Sequence, residues 1–143
     1  MKIKVKRIRE IDFPGYQHPG DSGIDLINAY EDTLIEAGER KLIPTGIIVA
    51  IPEGYEIQLR SRSGLAIKKG VMVLNSPGTI DSGYRGEVGV ILYNTSDDDV
   101  MIHKGMRIAQ AVLQKIEKIE WEEFDVLPES NRSSGGFGST GEL

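Results

Sequence analysis

Short apolar runs, separated by glycine and proline, recur along this chain. The segment KIKVKRI at 2–8 alternates polar and apolar positions, and YEIQLRS at 55–61 places Tyr55, Ile57 and Leu59 on one face. Alternation of period two predicts a half-buried strand, while a wholly apolar run predicts a fully buried one. The other strand-like segments are GIIVAI at 46–51, VMVL at 71–74, EVGVILYN at 87–94 and DDVMIHKG at 98–105. Short strands at this spacing are typical of an all-β sandwich or barrel.

Two segments have a composition that also suits a helix. SGLAIKK at 63–69 predicts one short helix. RIAQAVLQKIEKI at 107–119 contains good helix formers, but Ile108, Val112 and Ile116 follow a series of β segments, and we therefore predict a strand there. The predicted fold class is all-β with one short helix.

The sequence after Pro128 differs in composition from the rest of the chain. ESNRSSGGFGSTGEL at 129–143 is rich in glycine and serine and has no strand or helix periodicity. One interpretation is a disordered terminus. The other is an anion-binding loop, because glycines let backbone amides approach an anion and Ser139 and Thr140 add hydroxyl donors. We predict a core domain over 1–128 and a flexible C-terminal arm over 129–143.

Composition excludes several classes of protein. A length of 143 residues predicts one domain. The net charge is −5 with both signs interspersed, which argues against a nucleic-acid or membrane-surface binder. The chain has no cysteine, so disulfides, zinc–thiolate sites and cysteine nucleophiles are excluded. No apolar run approaches the roughly 18 residues of a membrane span, and no signal-peptide pattern is present, so we expect a cytoplasmic protein.

Four short stretches carry candidate chemistry, and each also has a structural interpretation. DSGIDL at 21–26 holds two carboxylates around a glycine turn, or simply leads into a strand. RSRSGLA at 60–66 places an arginine and a serine at a predicted helix start, where amides attract phosphate, or is a capped turn. Gln110 lies in the apolar run IAQAV and needs a hydrogen-bond partner. NSPGTIDSGYRGE at 75–87 is either an elaborate loop or a pocket with one carboxylate and one aromatic ring.

Taken together, five ordered stretches resemble the motifs of trimeric dUTP diphosphatases (dUTPases). They are SGIDL, RSGLA, NSPGTIDSGYRGE, GMRIAQ and RSSGGFGSTG, in that family's order. The resemblance implies a distorted β-sandwich or jelly-roll-like barrel that hydrolyses dUTP to dUMP and pyrophosphate with Mg²⁺. It also implies a homotrimer with active sites shared between subunits, and no nucleic-acid or membrane partner.

The resemblance implies catalytic or metal-binding roles for three residues. Asp81 would be the general base that takes a proton from the attacking water, and Gln110 would hold that water beside it. Asp25 corresponds to a carboxylate that orients the metal through coordinated water, since magnesium keeps several waters. The magnesium ion would bridge phosphate oxygens and neutralise the charge that develops on them.

The nucleoside would be bound mainly by the stretch around Asp81. A β-hairpin over 75–84, including Asn75 and Gly78, would bind the uracil edge and leave no room for the thymine methyl group. Tyr84 would pack against C2′ of the deoxyribose and exclude a ribose hydroxyl. Phe137 would stack on the uracil when the arm closes and excludes bulk water.

A triphosphate brings several negative charges into an acidic chain, so it requires local donors and cations. The resemblance assigns this task to groups from the second motif and from the arm. These groups are Arg62, Ser63, Gly64, Arg132, Gly138, Ser139 and Thr140.

Some positions depart from the family's commonest pattern or have no assigned role. Gly83 and Met106 stand where an acidic residue is frequent in the family. Arg85 and Arg107 could be structural ion-pair partners. The nearest alternatives are a dCTP deaminase, which shares the fold, and a nucleotide-binding relative that has lost turnover. TIDSGYRG and GGFGSTG favour a dUTPase, because both are intact and the deaminase lacks such a tail.

Overall fold

The computed structural model describes residues 1–130 of the chain. Within this range the backbone forms eleven short strands and one helix. The elements are β1 (Lys4–Arg7), β2 (Ile24–Ile27), β3 (Thr33–Ile35), β4 (Arg40–Pro44), β5 (Ile47–Ala50), β6 (Tyr55–Arg60), α1 (Ser63–Lys69), β7 (Val71–Val73), β8 (Gly78–Ile80), β9 (Gly89–Asn94), β10 (Val100–Ile102) and β11 (Arg107–Lys115).

The strand pairings within residues 1–130 are antiparallel and mostly join strands that are distant in sequence. The largest sheet has four strands in the order β2-β11-β6-β8, and a second sheet has three in the order β4-β9-β7. Two further pairs are β1 with β5 and β10 with β3. The predicted all-β sandwich is therefore confirmed, although the described strands do not close into a barrel.

The sheets enclose one core, which also contains two asparagines. Ile35, Leu92 and Ile102 are fully buried, as alternation along β3, β9 and β10 requires. The Asn28 amide donates to the Ile102 carbonyl at 3.1 Å, and the Asn94 amide donates to the Ile35 carbonyl at 3.0 Å. Both amides thus tie loops to strand ends, and leaving such a buried partner unsatisfied costs about 1–3 kcal/mol.

The helix and most predicted strands are confirmed by the structure. α1 occupies the predicted residues 63–69 and ends at Gly70, whose φ of 63° is the left-handed value that favours glycine. β11 is shorter than the predicted 107–119 strand and ends at Lys115. The next amide, at Ile116, donates to the Gly54 carbonyl at 2.9 Å, in the turn before β6. The pattern did not predict β3, β4 and β8, which are short or contain proline.

The segment that follows β11 has no helix or strand up to Ser130. Its large apolar side chains are exposed, namely Ile119, Trp121, Phe124, Val126 and Leu127. Apolar side chains in such a row make few contacts with the core of their own chain. Within residues 1–130, no helix combines the length and the apolar character needed to cross a membrane.

Candidate active site

A polar cleft of about 280 Å³ opens where β2, β11 and the start of α1 meet. The register explains why, since Gln110 of β11 lies opposite Asp25 of β2 and Arg60 of β6, and α1 follows β6 almost directly. The cleft brings together five predicted site residues, namely Asp25, Arg62, Ser63, Gly64 and Gln110. We call it the arginine cleft.

Asp25 lies between two guanidinium groups in this cleft. Arg62 Nε is 2.9 Å from Asp25 Oδ1, and Arg107 Nη1 is 3.6 Å from Asp25 Oδ2. The Asp25 side chain is only 14% exposed, so these charges attract more strongly than they would in bulk water. Arg107 also donates to Gln17 Oε1 at 2.9 Å. Arg107 is thus an ion-pair partner of Asp25, the structural role that the sequence left open.

Arg62 precedes the first residue of α1, but its side chain does not cap the helix. A guanidinium group has donors and no acceptor, so it cannot accept the backbone N–H groups of the first turn. Its Nη1 instead donates to the Arg107 carbonyl at 3.2 Å. The first turn of α1 has no acidic residue, so the helix start keeps its partial positive charge beside Ser63 and Gly64.

The Gln110 amide is half-buried beside the same cleft. Its Nε2 donates to the Ser61 carbonyl at 3.4 Å, which is long for a hydrogen bond. A Cβ atom at Gly23 would come within 3.0 Å of Gln110 Oε1, so the glycine of the SGIDL motif leaves room for this amide. The amide therefore has a partner in the fold and retains capacity for a second one, such as a water molecule.

A second cleft, of about 250 Å³, lies beside β8 and the loop that follows it. The residues that line it include four predicted site residues, Asn75, Gly78, Asp81 and Tyr84, and the apolar side chains of Leu42, Leu59, Ile80 and Ile91. We call it the tyrosine cleft. Its apolar wall, with a few convergent polar groups, is typical of a small-molecule site.

The stretch 75–84 contains one strand, and the predicted β-hairpin over these residues was wrong. β8 pairs with β6, so that Gly78 lies opposite Leu59, whereas the preceding strand, β7, pairs with β9 in another sheet. A Cβ atom at Gly78 would lie 3.2 Å from Asn75 Nδ2 and 3.3 Å from Leu59 Cβ. Glycine at this position therefore allows β8 to approach both Asn75 and β6 closely.

The loop after β8 places Asp81 and Tyr84 on either side of one turn. The Tyr84 amide donates to the Asp81 carbonyl at 3.1 Å, and the Tyr84 hydroxyl donates to the Glu87 carbonyl at 2.9 Å. Arg85 Nη1 donates to the carbonyls of Ser82 at 2.6 Å and Tyr84 at 2.7 Å. Arg85 thus stabilises the turn that carries the tyrosine.

The two clefts are separate within one chain. β6 lies between β8 and β11, with Ile57 opposite Ile80 and Arg60 opposite Gln110. Ile80 and Gln110 are two strands apart across the sheet, and their partners on β6 are three residues apart along that strand. The spacing between strands and the rise per residue then put the backbones of Ile80 and Gln110 about 14 Å apart. Asp81 lies one residue further from Gln110. One water molecule therefore cannot contact the carboxylate of Asp81 and the amide of Gln110 in the same chain.

Comparison with known proteins identifies the family. Residues 9–141 match the family model of dUTPase. A deoxyuridine 5'-triphosphate nucleotidohydrolase of Rickettsia akari is 52% identical over 143 residues, which cover 98% of this chain and 97% of that protein. The corresponding protein of Clostridium tetani is 51% identical over 140 residues, which cover 97% and 96%. The chain belongs to the dUTPase family. It is therefore a hydrolase with dUTP as its substrate.

Solved dUTPase structures share this fold. A mutant dUTPase of Staphylococcus bacteriophage 80alpha with dUpNHpp has a TM-score of 0.89 at 30% identity, covering 98% of each chain. A mutant dUTPase of phage phi11 of S. aureus, described as revealing the coordination of a structural Mg(II) ion, has a TM-score of 0.82 at 26% identity. That match covers 90% of this chain and all of the phage chain.

The dUTPase resemblance assigned site residues both before and after Ser130, the last residue that the structure describes. Nine of them lie in residues 1–130, five in the arginine cleft and four in the tyrosine cleft. The others lie outside the described residues, namely Arg132, Phe137, Gly138, Ser139 and Thr140.

The donor set of the arginine cleft fits a magnesium ion that is held mainly by the phosphates of a dUTPase substrate. Within residues 1–130, no three His, Asp or Glu side chains are grouped so that they could hold a metal. Asp21 Oδ2 accepts the His18 N–H at 2.8 Å, and Asp25 faces two arginines. Magnesium is often bound by one or two carboxylates together with waters and substrate phosphates, and Asp25 can supply such a contact.

Sequence reasoning missed three residues that the structure places at the site. Gln17, which holds Arg107, lies in FPGYQHPG, a stretch with no signal beyond its turn formers. Gly86 and Glu87 follow Tyr84 in the motif but received no role. The available signal was a glycine two residues and an acidic residue three residues after the tyrosine, because a ring that folds back needs space and an anchor.

Proposed function

We propose that this dUTPase-family hydrolase binds dUTP between copies of the chain. The arginine cleft of one copy would hold the triphosphate, and the tyrosine cleft of a neighbouring copy would hold the nucleoside. The observation that carries the proposal is the register of β8, β6 and β11, which puts the backbones of Ile80 and Gln110 about 14 Å apart in one chain. One cleft contains the proposed triphosphate-binding residues and the other contains the proposed nucleoside-binding residues and Asp81. The active form would therefore be a homotrimer with shared sites.

Asp81 would act as the general base. Its carboxylate takes a proton from a water molecule as the water oxygen attacks the α-phosphorus. The bond from the α-phosphorus to the oxygen shared with the β-phosphate breaks, and the products are dUMP and pyrophosphate. Gln110 of the neighbouring copy would hold the water in line. A positioned base of this kind contributes about 10²–10⁴-fold to the rate.

The triphosphate would lie against Arg62, Ser63 and Gly64 at the start of α1. Arg62 is already oriented by Asp25 at 2.9 Å, so it enters the reaction with little loss of side-chain freedom. A magnesium ion bound with the substrate would neutralise phosphate charge and polarise the phosphorus centre. Asp25 would hold the waters of that ion.

The nucleoside would occupy the tyrosine cleft. Asn75 and the backbone at Gly78 would bind the uracil edge, and Tyr84 would pack on the C2′ side of the sugar. The arm over 129–143 would then close on the bound nucleotide, with Phe137 on the uracil. The remaining arm contacts, to the phosphates, would come from Arg132, Gly138, Ser139 and Thr140.

The outer face of the β4-β9-β7 sheet supports assembly. Leu42 is 66% exposed and lies opposite Ile91, and both side chains line the tyrosine cleft. An apolar face that continues into a binding cleft is typical of a protein–protein interface. The exposed apolar row over 119–127 gives a second surface that a neighbouring copy could cover.

In the cell, the reaction would limit uracil incorporation into DNA and supply dUMP for thymidylate synthesis. We place it in the cytoplasm.

The direct test is incubation with dUTP, dCTP, dTTP and UTP in the presence of Mg²⁺. Pyrophosphate and dUMP should form from dUTP, and a chelator should stop the reaction. Ammonia released from dCTP, or equal hydrolysis of all four nucleotides, would contradict the proposal. Sedimentation should give the mass of a trimer.

A further inference from the structure

The ring of Tyr84 is held at its far end. Its hydroxyl donates to the Glu87 carbonyl at 2.9 Å. The ring also lies directly against Gly86, where an added Cβ atom would overlap it. Tyr84 is 46% exposed, so these two contacts, more than burial, set its orientation. The position of the Tyr84 ring therefore depends on the position of the backbone at Gly86 and Glu87.

The Glu87 side chain is one of the groups that hold the backbone at Glu87. Its Oε1 accepts the Gly46 N–H at 2.8 Å, and its Oε2 accepts the Tyr30 hydroxyl at 3.2 Å. The acceptor is a carboxylate, which makes both bonds stronger than neutral ones. The next amide, at Val88, donates to the Ile47 carbonyl at 2.9 Å. Glu87 thus joins the loop of the tyrosine cleft to the turn between β4 and β5.

The partners of Glu87 make further contacts of their own. Gly46 has a φ of 75°, and a Cβ atom there would lie 2.8 Å from Ala29 Cβ, so the tight turn requires glycine. The Gly46 carbonyl accepts the Ile8 amide at 2.9 Å. The Arg9 guanidinium lies 4.1 Å from the centre of the Tyr30 ring. The carboxylate is therefore held by the tight turn at Gly46, which packs against buried Ala29, and by the half-buried Tyr30.

We propose that Glu87 is a positioning residue for Tyr84 and that it thereby sets the discrimination between deoxyribose and ribose. The inference rests on the proposed role of Tyr84 at C2′ of the sugar. Without the carboxylate, the backbone under the ring gains freedom, and the ring can shift to admit a 2′-hydroxyl group. The uracil contacts at Asn75 and Gly78 lie on β8 and its preceding turn, so discrimination against dTTP should be retained.

The test compares nucleotide pairs in both binding and turnover. Dissociation constants are measured for the α,β-imido analogues of dUTP and UTP, and kcat/KM for dUTP, UTP and dTTP. Glu87→Ala should lower the dUTP-to-UTP ratio about 10-fold, the size expected when a hydrogen bond to a charged group is lost. Glu87→Gln keeps an oxygen acceptor for Gly46 and should stay within about 3-fold of the parent ratio.

Two further variants test the path from Glu87 to the ring. Tyr84→Phe keeps the ring and removes its anchoring hydroxyl, so it should lower the ratio to a similar extent. The double variant with Glu87→Ala should lose little more, because both changes break the same path. Tyr30→Phe removes one bond to the carboxylate and should lower the ratio about 3-fold, which keeps the test available if Glu87→Ala does not fold.

The control is Glu53→Ala, which removes an exposed carboxylate paired with Lys118 and should leave the ratio unchanged. A parent-like ratio in Glu87→Ala, together with a lowered ratio in Tyr84→Ala, would overturn the inference and leave the proposed function standing. A parallel loss of discrimination against dTTP would also overturn it, because that result indicates general loosening. An unchanged ratio in Tyr84→Ala would contradict the sugar role of Tyr84 itself.

Discussion

Asp81 and Gln110 share one proposed task, the activation of a water molecule, from strands that β6 separates. Asp81 follows β8 directly and is one of the residues that line the tyrosine cleft. Uracil recognition would use Asn75, in the turn before β8, and the backbone at Gly78, the first residue of β8. The base and the recognition groups can therefore be altered independently at the scale of single residues.

Replacing Asp81 by Asn should abolish most turnover while leaving binding nearly unchanged. The amide keeps the size of the side chain but cannot take a proton, so kcat should fall about 10²–10⁴-fold. The dissociation constant of α,β-imido dUTP should stay within a few-fold of the parent value. Asp98→Asn, on the exposed turn before β10, is the matched control. A variant with more than a few per cent of parental kcat would refute the assignment.

Among the elements, one carboxylate joins the loop before β3 to the turn before β11. Asp32 Oδ1 accepts the Lys104 N–H at 2.8 Å, and Asp32 Oδ2 lies 2.7 Å from His103 Nδ1. The Lys104 hydrogen bond, followed by the His103 contact, lowers the pKa of Asp32 below its ordinary value of 3.8. A lowered pKa in the folded state favours folding at every pH at which the carboxylate is ionised.

Asp32→Asn should therefore reduce the free energy of unfolding at pH 7. The difference from the parent should be fully present above the unfolded pKa of about 4. It should shrink as the pH falls through the lower folded value, because the parent carboxylate is then protonated. Urea unfolding between pH 7 and pH 3 measures this, with Asp97→Asn as the control. A difference that does not change with pH would mean that the carboxylate charge does not stabilise the link.

We predict that the C-terminal arm over 129–143 acts separately from the core, in which the last strand found within residues 1–130 ends at Lys115. Deleting the residues after Ser130 should cut turnover severely and leave the melting temperature within a few degrees of the parent, because the core strands and their packing are retained. A shorter deletion, after Gly141, keeps Phe137 and both hydroxyl residues and should remain active. Full activity of the longer deletion would instead support the disordered-terminus interpretation.

At the scale of the whole molecule, the proposed shared site requires more than one chain. Asp81→Asn leaves the arginine cleft intact, and Gln110→Ala leaves the tyrosine cleft intact. If sites form between copies, mixed trimers refolded from equal amounts should contain about one quarter fully intact sites. Activity should then reappear well above that of either variant alone, as pyrophosphate release would show.

The control for this experiment is the double variant carrying both substitutions on one chain, refolded with the parent. In a shared-site trimer it should leave about one quarter of the sites intact, and in a single-chain site about one half. An inactive mixture of the two single variants, with mixed trimers detected by mass, would exclude shared sites. The dUTPase assignment would then stand on the family match alone.

The amino-acid sequence by itself determined the fold class, the helix and the family. The alternation in YEIQLRS and the apolar run GIIVAI predicted β6 and β5, because side-chain burial on a pleated strand repeats every two residues. SGLAIKK predicted α1 with its correct bounds. The ordered motifs identified the family before any contact was known, because the residue types and the order of the motifs can be read along the chain.

Only the tertiary structure decided which of those groups lie together. The pairing of β8 with β6, rather than a hairpin within 75–84, depends on how two sheets meet. The contact of Asp25 with Arg62 joins residues that are far apart in sequence, as does the contact of Glu87 with Gly46. Such contacts are set by the register of distant strands and by close packing around glycine. Local patterns carry no information about either, and for that reason the separation of the two clefts could not be predicted from the sequence pattern.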